Sequence, residues 1–300
     1  MAERVHATVG GRTLSLSNLD KVLYPDAGFT KAEVIDYYVR VAPAMVPHLD
    51  DRCITLRRYP NGVDDTSFFE KRCPSHRPEW IGTAEGPGDR NGTIGYCRLS
   101  EPAALAWAGN MAAIELHAPM ARASDIESPA MVVFDLDPGP GTTITECAEI
   151  ALWIRDTLAG IGLSCWPKTS GSKGMQVYLP LNTTHTHEHA SSFALAVAQV
   201  MEAAHPTLVV TTQAKAARKD KVLIDWSQNS RHKTTICVYS LRARPQPTVS
   251  TPVTWDEVAD AADGVPLSFL AADVLARIDE HGDLFAETLT LVQHLPTVPT

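Results

Sequence analysis

The run Met131-Val132-Val133-Phe134-Asp135-Leu136-Asp137, closed by Pro138-Gly139, constrains the fold more than any other segment. Four apolar residues followed by an acidic–apolar–acidic alternation read as a buried strand that ends in two carboxylates. Thr143-x-x-Glu146 then caps a helix to about Ala159, stopped by Gly160 and Gly162. Strand-like runs at Leu163–Lys168 and Gly174–Leu181 flank Thr169-Ser170-Gly171-Ser172-Lys173. A helix from about His187 to Ala204 precedes two more strand-like runs, Leu208–Thr212 and Lys221–Trp226. Helices that alternate with apolar strands must cover a sheet, so the expected class is α+β (mixed α/β). The spacing is less regular than a Rossmann alternation.

Upstream, Thr30-x-x-Glu33 opens a helix with apolar face Val34, Tyr37, Tyr38, Val41 and Met45. Arg52–Tyr59 reads as a strand ending at Pro60-Asn61-Gly62, and residues 74–98 as loop with a short strand near Tyr96. Ala103–Asn110 reads as helix and Ile114–His117 as strand. Pro245, Pro247 and Pro252 interrupt regular structure, and an acidic helix is expected near Ser268–Glu280. At 300 residues and 44% hydrophobic, the chain can build a sizeable core. No apolar run is long enough for a membrane span, and the first residues lack a signal-peptide core. The six cysteines are far apart with no C-x-x-C, so neither a zinc knuckle nor a disulfide framework is expected, and a reducing cytoplasm is the default.

The net charge of −9 looks unsuited to nucleic acid, but it is unevenly spread. Residues 211–250 carry net +6 between segments of −7 and −8, and residues 1–80 are neutral. A polyanion responds to potential within about 10 Å at ordinary salt, so the average does not exclude a nucleic-acid partner. Lys215, Arg218, Lys219 and Lys221 read equally well as a solvated face.

Asp135 and Asp137, at i and i+2 of a strand, project to one side. Two like charges so close are unfavourable unless a cation lies between them or one is protonated, and an ordinary exposed pair at a turn is the plain alternative. Asp225 closes another apolar strand, where a lone carboxylate would be costly. Hard oxygen donors select Mg²⁺ or Mn²⁺, and three of them can hold two ions about 3.5–4 Å apart for nucleotidyl transfer. Ser170-Gly171-Ser172-Lys173-Gly174 is either a phosphate cradle or a plain hairpin turn, and its spacing is not that of a Walker A loop. Phe68 reads as core and Phe69 as the better candidate for stacking a base. Arg57-Arg58, Arg242 and Arg244 alternate as strand residues would, and His117 reads as an ordinary core or edge histidine. Lys31 lies in the first turn of a capped helix, where an anion is favoured, with Lys21 just upstream; solvated lysines are the plain alternative. His185, His187 and His189 lack a carboxylate or cysteine at ligand spacing, which argues against zinc.

These residues carry a resemblance. Asn18-Leu19-Asp20-Lys21-Val22-Leu23-Tyr24-Pro25, Arg58-Tyr59-Pro60-Asn61-Gly62, Phe68-Phe69-Glu70-Lys71 and Glu115-Leu116-His117-Ala118-Pro119 occur in that order. Phe134-Asp135-Leu136-Asp137-Pro138-Gly139, Thr169 to Gly174, Asp225-Trp226-Ser227-Gln228-Asn229 and Tyr239-Ser240-Leu241-Arg242 follow. The chain resembles the polymerase domain of bacterial ATP-dependent DNA ligase D, within the archaeo-eukaryotic primase superfamily, over nearly its whole length. The resemblance implies a primase-polymerase fold with an RRM-like catalytic sheet packed against an N-terminal α/β module. It also implies a single domain, with about 1–120 as that module, about 121–250 as catalytic core and 251–300 as an acidic extension. Asp135, Asp137 and Asp225 would hold two metal ions, Mn²⁺ or Mg²⁺. Arg57, His117, Ser170, Lys173, Gln228 and Arg242 would bind the NTP or dNTP, with Phe69 stacking on its base. Lys21 and Lys31 would grip a 5′-phosphate on the downstream side of a DNA gap. Ribonucleotide preference, a role in repair of DNA breaks, and DNA ligase and end-binding repair proteins as partners are implied with it. Gln176 stands where the family usually has histidine. Glutamine can hydrogen-bond phosphate but carries no charge.

Two other readings compete. One is a DNA-end-binding module whose polymerase site is vestigial, with Gln176 as its symptom. The other is a metal-dependent phosphoesterase, since three carboxylates alone do not separate hydrolysis from transfer.

Overall fold

In the computed structural model, residues 4–88 and 92–297 are described. The chain forms two compact units. The first comprises Met1–Pro119, Ile236–Ser250 and Phe269–Asp283, and the second Met120–Thr235, Thr251–Ser268 and Leu284–Thr300.

The first unit begins with two antiparallel pairs, β1 (Arg4–Val9) with β2 (Arg12–Ser17) and β3 (Val22–Tyr24) with β4 (Phe29–Thr30). Helix α1 (Lys31–Leu49) starts at the expected capping box: Thr30 Oγ1 accepts from the Glu33 amide, and the Glu33 carboxylate accepts from the Thr30 amide. Its apolar face, Val34, Tyr37, Tyr38, Val41 and Met45, is buried as the periodicity predicts. Strands β5 (Thr55–Arg58) and β6 (Phe68–Glu70) pair antiparallel. Residues 74–98 were expected to be mostly loop. Instead, β7 (Thr83–Pro87) and β8 (Thr93–Cys97) form a hairpin, and residues 89–91 lie outside the described residues. Helix α2 (Pro102–Asn110) packs on α1, and β9 (Ala113–Ala118) lies on the other side of β5 from β6.

Tyr24 and Tyr37 fasten the returning 236–250 segment, donating their hydroxyls to the carbonyls of Arg242 and Tyr239. Ser240 Oγ accepts from the Leu116 amide. A cysteine expectation fails in this unit, where Cys73 and Cys97 form a disulfide with Cα atoms 4.7 Å apart. Their 24-residue separation hid a pairing that forms where the Cys73 amide donates to Gly95 O on β8, at 2.8 Å. The other four cysteines are buried and not disulfide-bonded.

The second unit opens with β10 (Ala121–Arg122) paired to β11 (Asp125–Pro129). Its main sheet has β12 (Met131–Pro138) at the centre, with α3 (Ile144–Gly160) following. Strands β13 (Trp166–Thr169) and β14 (Met175–Pro180) come next, then α4 (His187–Ala204), β15 (Val209–Val210) and β16 (Val222–Asp225). The order is β13-β14-β12-β16-β15, antiparallel except for the parallel β15–β16 pair. Val132, Phe134 and Leu136 are fully buried, and α3 packs against β12 and β14. The alternation sends Asp135 and Asp137 to the opposite face of the strand. Helix α5 (Trp255–Ala262) was not expected, although Thr254 and Glu257 form a third capping box. The acidic helix expected near Ser268–Glu280 is present as Ala271–His281, in the first unit.

Among the described residues, no helix is long and apolar enough to cross a membrane.

Candidate active site

The carboxylates come together through strand register. In the antiparallel ladder between β12 and β16, Asp135 stands directly opposite Asp225, and Asp137 lies two residues along. Gly139, just beyond β12, permits this pairing. Its amide donates to Lys221 O at 2.9 Å, and a Cβ there would fall 1.8 Å from the Arg218 carbonyl. Asp135 is half-buried and Asp137 exposed, while Asp225 is buried.

Burial pushes the Asp135 carboxyl up to about 7, and the Asp137 and Asp225 charges push the same way, against a hydrogen bond from Gln176. Such crowding is relieved by a proton or by a cation. Asp225 is not a lone carboxylate. Its Oδ1 accepts from the Ser227 amide, Ser227 Oγ and Gln213 Nε2, and its Oδ2 from Gln228 Nε2 at 2.9 Å. Those bonds offset the burial cost that the apolar strand implied. As the side chains stand, no three His, Cys, Asp or Glu among the described residues form a ready metal-binding group.

The Ser170–Gly174 loop is the turn between β13 and β14. Ser170 Oγ accepts from the amides of Ser172 and Gly174 at 3.2 and 3.3 Å, and Lys173 is exposed. Gly174 is required for the close approach of this loop to β12, since a Cβ would lie 2.0 Å from the Leu136 carbonyl. Gln228, expected at nucleotide, places its amide on Asp225. Sequence reasoning did not anticipate Gln213 or Ser227 at Asp225, or the buried Lys168 beside Gln176.

In the first unit a second cluster forms on β5, β6 and β9. Register sets Arg57 between Phe69 on β6 and Glu115 on β9. The buried Glu115 carboxylate accepts from Arg57, Arg242, His117 and the Ala243 amide, at 3.0–3.2 Å. Burial alone would raise its pKa, but His117 and Arg242 bring it down to about 2. His117 is pulled below the usual histidine range by burial, against the Glu115 contact. The Arg57 guanidinium lies over the rings of Tyr59 and Phe69 at 5.2 and 5.1 Å, and its Nε is buried without a hydrogen-bond partner.

Phe68, expected in the core, is 45% exposed under the Arg58 guanidinium, and Phe69 is 57% exposed. Both lie on β6, which is the last strand of its sheet among the described residues. Glu115 is the residue missed here. Its flanking Ile114 and Leu116 are apolar, and only the ladder shows which basic side chains face it.

Lys31 is not a solvated lysine. It is buried, donates to Ser17 O at 2.7 Å, and is lowered to about 8 by burial, with Lys21 and Arg58 adding to the effect. Lys21 is exposed and donates to Asn61 at 2.9 Å, beside a cleft of about 750 Å³ lined by Val5, Asn18, Leu19 and Asp20.

Comparison with known proteins decides the family. The model of the LigD primase-polymerase domain matches residues 30–285. The chain belongs to the LigD primase-polymerase family. Membership makes this LigD family domain a nucleotidyltransferase with the mixed α/β architecture described above. It is 46% identical over 274 residues to the multifunctional non-homologous end joining protein LigD of Mycolicibacterium smegmatis, covering 90% of this chain and 35% of that protein. The bifunctional non-homologous end joining protein LigD of Bacillus subtilis is 30% identical over 270 residues, covering 90% of this chain and 43% of that one. The domain thus spans between a third and a half of the length of these relatives. The polymerase domain of Mycobacterium tuberculosis ligase D, solved in complex with DNA, superposes with a TM-score of 0.86 at 42% identity. That match covers 92% of this chain and 98% of the other.

Proposed function

We propose that this domain is a template-directed, metal-dependent polymerase that fills short gaps at DNA breaks, prefers ribonucleotides and recognises a downstream 5′-phosphate. The observation that carries the reading is the face-to-face register of Asp135 and Asp225 with Asp137 two residues away. Like charges opposed across a ladder are unfavourable on their own, and carboxylate oxygens are the donors that Mn²⁺ and Mg²⁺ prefer. Asp135, Asp137 and Asp225 would hold two such ions, which supply electrostatic stabilisation of the charge that develops on the transferring phosphate.

Ser170 and Lys173 would bind the triphosphate, Lys173 offsetting its charge. Arg57, His117, Gln228 and Arg242 would complete the nucleotide contacts, with Phe69 stacking on the base. The buried Arg57 Nε, a donor lacking an acceptor, supports an anionic or polar ligand there. The primer 3′-hydroxyl would attack the α-phosphate in line with departing pyrophosphate. Lys21 and Lys31 would grip the downstream 5′-phosphate, a reading supported by the burial of the Lys31 ammonium, which donates to the neutral backbone carbonyl of Ser17. DNA binding is supported by the DNA complex of the M. tuberculosis neighbour. Work alongside a DNA ligase and end-binding proteins is supported by the names of the relatives.

Primer extension on a gapped duplex with Mn²⁺ tests the proposal. Extended product that is lost in Asp135→Ala is the expected result; full activity in that variant rejects the assignment. DNA binding without incorporation would point to a binding module, and shortened strands or free phosphate to a phosphoesterase. Running ribonucleotides and deoxyribonucleotides in parallel reads the sugar preference.

A further inference from the structure

A single lateral row of polar side chains crosses four adjacent strands of the second unit. Lys168 on β13 pairs with Gln176 on β14, Gln176 with Asp135 on β12, and Asp135 with Asp225 on β16. The row is hydrogen-bonded from β13 through β14 to β12. Lys168 Nζ donates to Gln176 Oε1 at 2.5 Å, and Gln176 Nε2 donates to Asp135 Oδ1 at 2.9 Å. Tyr178 OH also donates to Gln176 Oε1, at 3.3 Å, and its ring lies 5.3 Å from the Lys168 ammonium. Lys168 and Gln176 are 1% and 3% exposed, so water does not compete for these bonds.

We propose that Lys168 is a positioning residue for Asp135, acting through the side-chain amide of Gln176. A carboxamide can face either way, but an ammonium has donors only. Lys168 and the Tyr178 hydroxyl therefore fix the Gln176 oxygen toward β13, and the NH₂ group must face β12. Asp135 then always receives one hydrogen bond on Oδ1 from a neutral donor. That bond favours the ionised carboxylate and orients it, without placing a competing cation against it. The proposal rests on the reading of Asp135 as a metal-holding carboxylate.

The sign of one measurement separates positioning from simple electrostatics. A buried cation near a metal site repels the metal, so its removal alone tightens Mn²⁺. A positioning cation does the reverse. Without it, Gln176 can turn its oxygen toward Asp135 and the support is lost.

The test is Mn²⁺ affinity of the 300-residue chain, read by electron paramagnetic resonance of free Mn²⁺ without nucleotide or DNA. Lys168→Met is expected to raise the dissociation constant about fivefold, the worth of one ordinary hydrogen bond. Gln176→Leu should raise it at least as much, and the double variant should be no weaker than Gln176→Leu, because without Gln176 the ammonium has no hydrogen bond through which to support Asp135 and leaves only its repulsion of the metal to lose. Should Lys168→Met fail to fold, Tyr178→Phe removes the other donor to the same oxygen and should weaken Mn²⁺ about twofold. Tightened or unchanged Mn²⁺ binding in Lys168→Met overturns the proposal, as does unchanged binding in Gln176→Leu. Asp135→Asn separates the two levels: parental Mn²⁺ affinity in that variant overturns the metal-site reading itself.

Discussion

Asp135 and Asp225 face each other as partners in one antiparallel ladder, although 90 residues separate them in sequence. The consequence is a carboxyl held far above the usual aspartate range, at about 7, by burial and by its acidic neighbours. A carboxyl raised in the folded state binds a proton that the unfolded chain has already released. Its contribution to stability therefore falls as pH rises from about 4 to about 7. Thermal midpoints of the metal-free chain in EDTA should fall over that window, and Asp135→Asn should flatten the dependence. Mn²⁺ should displace the proton, so its binding near pH 6 should release acid, measurable by calorimetry in buffers of differing ionisation heat.

Glu115 gives the opposite sign. Its carboxyl is lowered to about 2 by His117 and Arg242 despite burial, so the stability it contributes is present above about pH 4.5 and is lost as pH falls toward 2. Glu115→Gln leaves Arg57 and Arg242 without their shared anion. Removing one partner of a buried ion pair costs about 3–5 kcal/mol, and chemical denaturation should show a loss of that order. Nucleotide affinity should weaken in the same variant, because the two guanidinium groups lose the acceptor that holds them. An unchanged denaturation midpoint would argue against Glu115 as the anchor of the cluster.

The elements of the second unit were readable because each carries its own period. The MVVFDLD strand, the Thr143–Glu146 capping box and the His187–Ala204 helix depend on local spacing alone. What the chain does not display locally is register. Lys168, Gln176, Asp135 and Asp225 form one row only because four strands align, and Glu115 meets Arg57 and Arg242 only through strand pairing and chain return. Phe68 differs from its expectation for a related reason: a strand's apolar residue is core or surface according to which strands flank it, and among the described residues β6 has one neighbour. Helix α5 had the same Thr-x-x-Glu start as two helices that were recognised, but Pro252 and the surrounding proline-rich stretch masked it.

Phe69 should separate binding from stability. With its ring 57% exposed, Phe69→Ala removes little buried surface and should shift stability by no more than about 0.5 kcal/mol. A base that stacks on this ring loses about 1–3 kcal/mol. Nucleotide affinity, followed by fluorescence titration, should then fall between roughly fivefold and a hundredfold. The ring also lies against His117 and beneath Arg57, so part of the loss would come from freeing those two side chains. A variant that binds nucleotide as the parent does, with melting unchanged, would remove Phe69 from the nucleotide site.

Lys31 should make recognition of a 5′-phosphate depend on pH in a range where ordinary lysines do not titrate. Its ammonium is lowered to about 8 by burial, with Lys21 and Arg58 repelling it further, so it loses its charge as pH rises through 8. A phosphate dianion brought against it would restore the proton, since a nearby negative charge favours the charged form. The preference for gapped DNA carrying a downstream 5′-phosphate over the same gap with a hydroxyl should be largest below pH 7.5 and shrink by pH 9. Lys31→Met should abolish both the preference and its pH dependence, whereas Lys21→Met, which removes an exposed charge that helps to lower Lys31, should weaken the preference and move its pH dependence to higher pH. Measuring the two dissociation constants as a ratio at each pH cancels the general salt and charge effects on DNA binding. A ratio that stays flat from pH 6.5 to 9 in the parent chain would assign phosphate recognition to some other group.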